Sequence, residues 1–228
     1  MSTIQTKYYE RSSKIPDTFP LKHYYLSTNQ SDLSKPFAIG IDSGVNNCAF
    51  CELQLVYENG YLIDFTVNNL YYFEDEIKNF LCVDDKYYFL AEKYFDLFKD
   101  KPICKTTFEL LPLNAIKNAE TLKGVLRAQK TTDIISFICR CLKHSYTAVS
   151  PKTIKYTLTG NGNATKEEMQ KAAFRITGNK YPEFLINDHL ADSFAMAFHY
   201  WVTKLKEEIQ LYHSPISAQY AYMTWLWN

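Results

Sequence analysis

The chain has 228 residues, 46% of them apolar, and its formal net charge is zero. This length and composition predict one globular domain with a sizeable core, and the charge argues against indiscriminate polyanion binding. No apolar run approaches the about 18 residues that indicate a membrane span. Because residues 1–7 also lack the apolar core of a secretion signal, we expect a cytoplasmic protein, in a bacterial or phage-infected host cell, without membrane contact.

The six cysteines show no spacing typical of a disulfide framework, which favours reduced thiols. Cys48 and Cys51 form a C-x-x-C pair inside a predicted strand. An offset of three residues places strand side chains on opposite faces. No second Cys or His pair follows at zinc spacing, so the sequence does not predict a zinc site.

The predicted elements begin after a polar extension over residues 1–36. Three strands then follow in order, separated by turn-prone segments: Phe37–Asp42, Cys48–Val56 and Tyr61–Phe73. The remaining predicted elements are a helix over 74–99, a strand Ile103–Leu111, a helix over 118–143, a strand Tyr146–Val149, a turn or short helix Thr153–Leu158, a helix from the N-cap Thr165 to Thr177, and a helix over 185–208. Residues 209–228 form an aromatic tail.

This element order predicts an α/β fold for residues 37–208. Three antiparallel strands followed by β-α-β units give a mixed five-stranded sheet with helices on both faces.

Acidic side chains end two of the predicted strands. Asp42 follows the apolar run 37–41, and Glu109 follows the run 103–108. A third acid, Asp192, lies with His189 on the last predicted helix. An acid at the end of a buried strand costs desolvation energy unless something pairs with it, and hard divalent cations prefer carboxylate oxygens. The pattern therefore indicates a magnesium-dependent nuclease, although each acid could instead serve a turn, an edge ion pair or a solvated helix face.

Four segments in chain order resemble motifs of the RuvC-type Holliday junction resolvases. This resemblance implies an RNase H-like fold. They are the strand motif IGIDSG at 39–44, Phe108-Glu109, the lysine and glycine segment 154–166, and HLADSFAMA at 189–197. The resemblance covers about residues 37–203. It implies a homodimeric endonuclease that resolves four-way DNA junctions by paired symmetric nicks.

The resemblance also implies a catalytic site with two Mg²⁺ ions, for which Mn²⁺ can substitute. Asp42 would bridge both ions, Glu109 would hold one and Asp192 the other. Some relatives have an acid three residues before the last Asp, whereas this chain has His189 there and Asp188 just before it. The i, i+3 offset favours His189 as the additional ligand, and Asp188 stays open as an alternative.

Further residues are implied to bind DNA or to act on it. Lys166, in the first turn of a predicted helix, is implied as a phosphate contact and catalytic residue, where free backbone N–H groups also favour an anion. The other implied phosphate contacts are Lys152, Lys155, Gly160 and Gly162, and the implied base-wedging residues are Leu111 and Leu113. The helix over 118–143 would form the dimer interface, unless its apolar face packs only on its own sheet.

Charge is distributed unevenly along the chain. Residues 115–180 carry 12 Lys or Arg and four acids, a net charge of +8, whereas residues 72–100 carry eight acids and four lysines, a net charge of −4. This distribution fits a nucleic-acid face and a solvated back face, or ordinary helix surface charge. Alternative functions are a branched-DNA endonuclease of looser specificity, a non-catalytic branched-DNA-binding protein, and a sugar-kinase-like protein, for whose duplicated core the chain is too short.

Overall fold

The computed structural model describes residues 37–58, 61–101, 104–110 and 117–212. The predicted extension over residues 1–36 and the tail beyond Tyr212 lie outside the described residues.

A mixed five-stranded sheet forms the centre of the described fold. Its strands are β1 (Phe37–Ser43), β2 (Cys48–Glu58), β3 (Tyr61–Tyr72), β4 (Cys104–Glu109) and β5 (Ser145–Val149). Their order across the sheet is β3-β2-β1-β4-β5. The β1–β2 and β2–β3 pairs are antiparallel, and the β1–β4 and β4–β5 pairs are parallel. The predicted sheet is therefore confirmed.

Helices connect and cover the strands. In the part of the chain that the structure describes they are α1 (Glu74–Ile77), α2 (Val83–Phe98), α3 (Ala119–Cys141), α4 (Pro151–Thr159), α5 (Lys166–Ile176), α6 (Glu183–Ile186) and α7 (Asp188–Tyr212). None of these helices is long and apolar enough to cross a membrane.

Two apolar clusters lie on opposite faces of the sheet, as predicted for helices on both sides. The first joins β1–β3 to α4, α5 and α7 and contains the buried rings of Phe194, Phe198 and Trp201. The second joins the sheet to α2 and α3 and contains Phe50 and Phe98. Burial of large aromatic side chains is the main source of stability in such clusters, at about 1.5–3 kcal/mol for each fully buried side chain.

The predicted helix over 74–99 is in fact two helices, α1 and α2, separated at residues 78–82. The second begins after Cys82, and Asp84 and Asp85 in its first turn interact favourably with the helix dipole. Phe80 in the connection packs on Phe89, with ring centroids 5.3 Å apart, which anchors the break to the core.

The predicted turn or short helix at Thr153–Leu158 is the nine-residue helix α4. Ser150 caps its start by accepting from the Thr153 N–H, Pro151 occupies the first turn, and Gly160 ends it with φ 77°. The predicted capping box of Thr165 and Glu168 at the start of α5 is confirmed.

The last predicted helix is also divided, at Asn187, into α6 and α7. The Asn187 side chain accepts a hydrogen bond from the Leu190 N–H at 3.2 Å, as an N-cap does. The break makes Asp188 and His189 the first residues of α7.

Helix α7 crosses the sheet in direct contact with β1 at Gly40. A Cβ atom built on Gly40 would lie 1.9 Å from the Ser193 carbonyl oxygen and 2.5 Å from the Ala197 nitrogen. Only glycine allows this close approach. It brings the first turns of α7 over the carboxyl end of β1.

Candidate active site

The carboxyl ends of β1 and β4 place two acids side by side. The parallel register pairs Ile41 with Phe108, so Asp42 and Glu109 follow at the next position of each strand. Ile41 and Phe108 both belong to the cluster under α2 and α3. Because strand side chains alternate, Asp42 and Glu109 point to the other face, which α7 covers.

The start of α7 supplies the remaining predicted ligands. His189 Nδ1 lies 2.6 Å from Asp42 Oδ2. An ionised carboxylate only accepts, so Nδ1 donates to it, and Nε2 is an acceptor when the ring is neutral and a donor when the ring is protonated. That Nε2 lies 4.0 Å from Asp188 Oδ1. One turn further along, Asp192 interacts electrostatically with Asp42, Glu109 and Asp188. The structure thus brings all five predicted metal ligands together.

Two of these acids are held in an environment that opposes their ionisation. Burial, followed by repulsion from Asp42, Glu109 and Asp188, raises the pKa of Asp192 from 3.8 to about 7. Burial and then repulsion from Asp42 also raise the pKa of Glu109, against the opposing effect of Lys155. The negative charge of the cluster is therefore incompletely compensated by the chain's own cations.

Nitrogen donors hold the other two acids. Lys166 donates to Asp188 Oδ2 across 22 residues of sequence. Burial alone would raise the pKa of Asp188. The hydrogen bond from Lys166 and the charges of His189 and Lys166 outweigh this effect and lower the pKa. The hydrogen bond to Asp42 raises the pKa of His189, with burial opposing it and Asp42 and Asp188 adding to it.

The donor set fits a hard divalent cation in its chemistry, because it consists of carboxylate oxygens and one imidazole nitrogen. A cation among Asp42, Glu109 and Asp192 would relieve the repulsion that raises the pKa values of Glu109 and Asp192. Among the residues that the structure describes, no group of three or more His, Cys, Asp or Glu side chains is already arranged to hold a metal ion. Asp42 and Asp188 are instead bonded to His189 and Lys166.

The predicted DNA contacts stand around α4 and the loop that follows it. Lys155 donates to the Ala164 carbonyl at 2.7 Å, and Lys152 is exposed. Gly160 ends α4 in the left-handed conformation. A Cβ on Gly162 would lie 3.2 Å from the Lys152 carbonyl oxygen, so this glycine allows the loop to pack on the start of α4. These local roles leave the DNA contacts as predictions.

Two further residues, the predicted wedging Leu111 and Leu113, lie outside the described residues. Leu110, directly after Glu109, is exposed, and its N–H donates to the Val149 carbonyl at 2.8 Å.

Sequence reasoning missed Tyr72, at the end of β3. Its ring stacks on the His189 imidazole, with centroids 5.8 Å apart and an interplanar angle of 13°. The signal in the sequence was an aromatic residue at the end of a strand, next to a predicted turn into a helix. Nothing in the sequence alone distinguishes that position from an ordinary core tyrosine.

The fold is similar to those of solved structures. The structure of RuvC from Thermus thermophilus has a TM-score of 0.50 and 16% identity, covering 74% of this chain and 96% of that chain. RuvC of T. thermophilus in complex with a Holliday junction substrate has a TM-score of 0.52 and 18% identity, covering 74% of this chain and 94% of that chain. The yeast mitochondrial Holliday junction resolvase Ydc2 has a TM-score of 0.45 and 20% identity, covering 78% of this chain and 83% of that chain.

No protein-family model matches the sequence, and no curated protein matches it. The two Thermus structures confirm the predicted RNase H-like fold, and with it the resemblance to RuvC-type resolvases at the level of the fold.

Proposed function

We propose that this chain is a divalent-metal-dependent endonuclease that resolves Holliday junctions. The observation that carries the proposal is the convergence of Asp42, Glu109 and Asp192, from two adjacent strand ends and a crossing helix, into one incompletely compensated carboxylate cluster. The fold that holds this cluster is shared with a protein whose structure is described as RuvC in complex with a Holliday junction substrate.

Asp42, Glu109 and Asp192 would hold Mg²⁺ or Mn²⁺, with His189 favoured over Asp188 to complete the set. Divalent ions held there activate water and stabilise the departing oxygen in phosphodiester hydrolysis. The chain's own contribution is to fix the acids on rigid elements, since the β1–β4 register and the Gly40 contact leave little freedom between them.

Lys166 is the cation placed to meet a phosphate. It is exposed, lies in the first turn of α5 and bonds Asp188. In the proposed complex, the DNA backbone competes with Asp188 for the Lys166 ammonium group, and Lys155 adds a second positive charge near Glu109.

The substrate class follows from charge and symmetry. The region that carries Lys152, Lys155 and Lys166 has a strong basic excess in a chain whose formal net charge is zero, as expected for a face that follows phosphates. Two copies related by a two-fold axis would place two such sites against the symmetric strands of a four-way junction. Paired nicks are the expected product.

The decisive experiment compares wild type with Asp42→Asn on a labelled four-way junction and on its linear duplex arms, with Mg²⁺ and with EDTA. We expect paired symmetric nicks on the junction only, lost in EDTA and reduced at least about a hundredfold in Asp42→Asn while junction binding persists. Asp100→Asn, in the exposed turn after α2, is the matched control and should cleave like wild type.

The other outcomes contradict the proposal in distinct ways. Equal cleavage of the junction and its arms would remove junction selectivity and leave a branched-DNA nuclease of looser specificity. Junction binding by wild type without cleavage in Mg²⁺ or Mn²⁺ would indicate a non-catalytic branched-DNA-binding protein.

A further inference from the structure

A row of side chains runs across the sheet from its edge to the candidate active site. Tyr72 on β3 pairs with Ala49 on β2, and Ala49 pairs with Asp42 on β1. Directly paired residues of antiparallel strands point to the same face, so all three face α7. Neighbouring strands are about 4.8 Å apart, which places Tyr72 about 10 Å from Asp42, with the small Ala49 between them.

His189 spans this row from above. Its imidazole stacks on the Tyr72 ring at 5.8 Å on one side and bonds Asp42 at 2.6 Å on the other. The imidazole of His189 therefore reaches across β2 at Ala49. The side chain of Ala49 is only a methyl group. A larger side chain at residue 49 would compete with the imidazole for the same space.

The Tyr72 ring is itself held in place. Its hydroxyl donates to Glu74 Oε2 at 2.7 Å, and Lys78 pairs with Glu74 Oε1 at 2.8 Å. The next backbone N–H, that of Phe73, donates to the Cys48 carbonyl at 3.0 Å. The stacking surface offered to His189 is thus built on the end of a paired strand and tied to α1.

We propose that Tyr72 is a positioning residue, which holds the His189 imidazole by offset parallel stacking so that Nδ1 stays on Asp42 and Nε2 faces Asp188. The proposal rests on the proposed nuclease function and assigns a second residue to the same site. A stacked ring can slide but cannot tilt without losing contact, so the stack restricts the orientation that the single hydrogen bond to Asp42 leaves open. Misplaced catalytic groups can cost up to about a hundredfold in rate.

The test compares Tyr72→Phe, which keeps the ring and loses the hydroxyl, with Tyr72→Leu, which loses the ring. Tyr146→Leu is the matched control, because Tyr146 stacks on Phe108 at 5.8 Å on the face of the sheet opposite to the acids, and its hydroxyl accepts from Arg140. Single-turnover cleavage with Mg²⁺, junction affinity in EDTA and Tm are measured for each variant. If Tyr72→Leu does not fold, Tyr72→Val, which suits a strand better, replaces it.

For Tyr72→Leu we expect cleavage about tenfold to a hundredfold slower at unchanged junction affinity. Tyr72→Phe should cleave within about threefold of wild type, since the stacking surface remains. The control should match wild type. Wild-type rates in Tyr72→Leu, or an equal loss in Tyr72→Phe and Tyr72→Leu, would overturn the proposal, because neither result follows from stacking.

A second readout separates this proposal from the proposed function. The NMR signal of the His189 Cε1–H group, assigned with His189→Gln, should carry a ring-current shift from Tyr72 in wild type and should keep its position in Tyr72→Phe. It should move in Tyr72→Leu, which has no ring. If wild type fails to cleave junctions, the nuclease function fails and this signal alone decides whether Tyr72 positions His189. An unchanged signal in Tyr72→Leu would overturn the positioning role.

Discussion

Asp192 is the carboxyl group whose ionisation its surroundings oppose most clearly among those of the candidate site. Its pKa rises from 3.8 to about 7 because it is buried and because Asp42, Glu109 and Asp188 repel its charge. A carboxyl whose pKa is higher in the folded than in the unfolded protein stabilises the folded state when the pH is below the unfolded pKa. This contribution to stability is lost as the pH rises through the folded pKa. Without a divalent cation, the folded protein should therefore lose stability between about pH 4 and pH 7.

Removing the Asp192 charge should therefore stabilise the folded protein at high pH, which is the first prediction. In EDTA, Asp192→Asn should have nearly the wild-type Tm at about pH 3, where the carboxyl is mostly protonated in both the folded and the unfolded state, and a higher Tm at pH 8. The gain at pH 8 should be on the order of 2 kcal/mol, or about 5 °C. Thermal unfolding at the two pH values measures it, with exposed Asp100→Asn as the control. An equal gain at both pH values would show that charge at residue 192 is not its cause.

The sequence allowed the acids to be predicted but not their partners. Asp42 and Glu109 could be inferred because each ends an apolar strand, and the ends of adjacent parallel strands meet. The bond between Lys166 and Asp188 joins residues of different helices, and the Tyr72 stack depends on the register of an edge strand and on where α7 begins. Both are tertiary contacts for which no local pattern exists.

At the scale of elements, the contact between β1 and α7 positions the site. Gly40 lies two residues before Asp42, so both are on the same face of β1, and α7 contacts the strand at Gly40. Any side chain at residue 40 would move the helix, and with it His189 and Asp192, away from Asp42. The first glycine of the IGIDSG motif, Gly40, is thus explained by packing rather than by backbone conformation.

The second prediction compares two glycines with opposite surroundings. Gly40→Ala should lower the free energy of unfolding by about 2–4 kcal/mol, because the added Cβ meets helix backbone that cannot yield locally. Gly124→Ala should raise it by about 0.5–1 kcal/mol, because Gly124 lies within α3 and nothing stands within 4 Å of its Cβ position. Urea unfolding measures both. A neutral Gly40→Ala would mean that α7 does not need this approach.

Element boundaries were predictable where capping residues mark them. Thr165 and Glu168 mark the start of α5. Ser150 and Pro151 are residues typical of a helix start, and Gly160 is typical of a helix end, so they mark both ends of α4 although its apolar pattern is short. The break between α1 and α2 contains no glycine or proline and is anchored by the distant Phe89, so periodicity alone joined the two helices.

At the scale of the whole molecule, α3 presents two different faces. Its buried residues, including Ile135 and Ile138, pack beneath the sheet. Leu122, Leu126 and Phe137 are exposed and lie along one side of the helix, separated by about whole numbers of turns. An apolar stripe on a helix indicates a surface that another element covers. It is the surface at which the predicted homodimer would form.

The third prediction tests that dimer through its most exposed aromatic side chain. Phe137 is 68% exposed on α3, and Tyr88 is 75% exposed on the neighbouring helix α2, so the two positions can be matched in exposure. Phe137→Glu should leave the far-UV circular dichroism spectrum unchanged, shift the protein from dimer to monomer in sedimentation equilibrium, and convert linearisation of a cruciform plasmid into single nicking. Burying an unpaired carboxylate at an interface opposes association strongly.

Tyr88→Glu serves as the control, because it adds the same charge to a similarly exposed ring outside the α3 stripe, and it should remain a dimer that linearises the plasmid. The two measurements also separate assembly from chemistry. A monomeric variant that still nicks retains the carboxylate cluster and lacks only the second copy, which is what two-fold symmetry requires for paired cuts. A monomeric wild type, or a Phe137→Glu variant that still dimerises, would instead mean that another surface aligns the two sites.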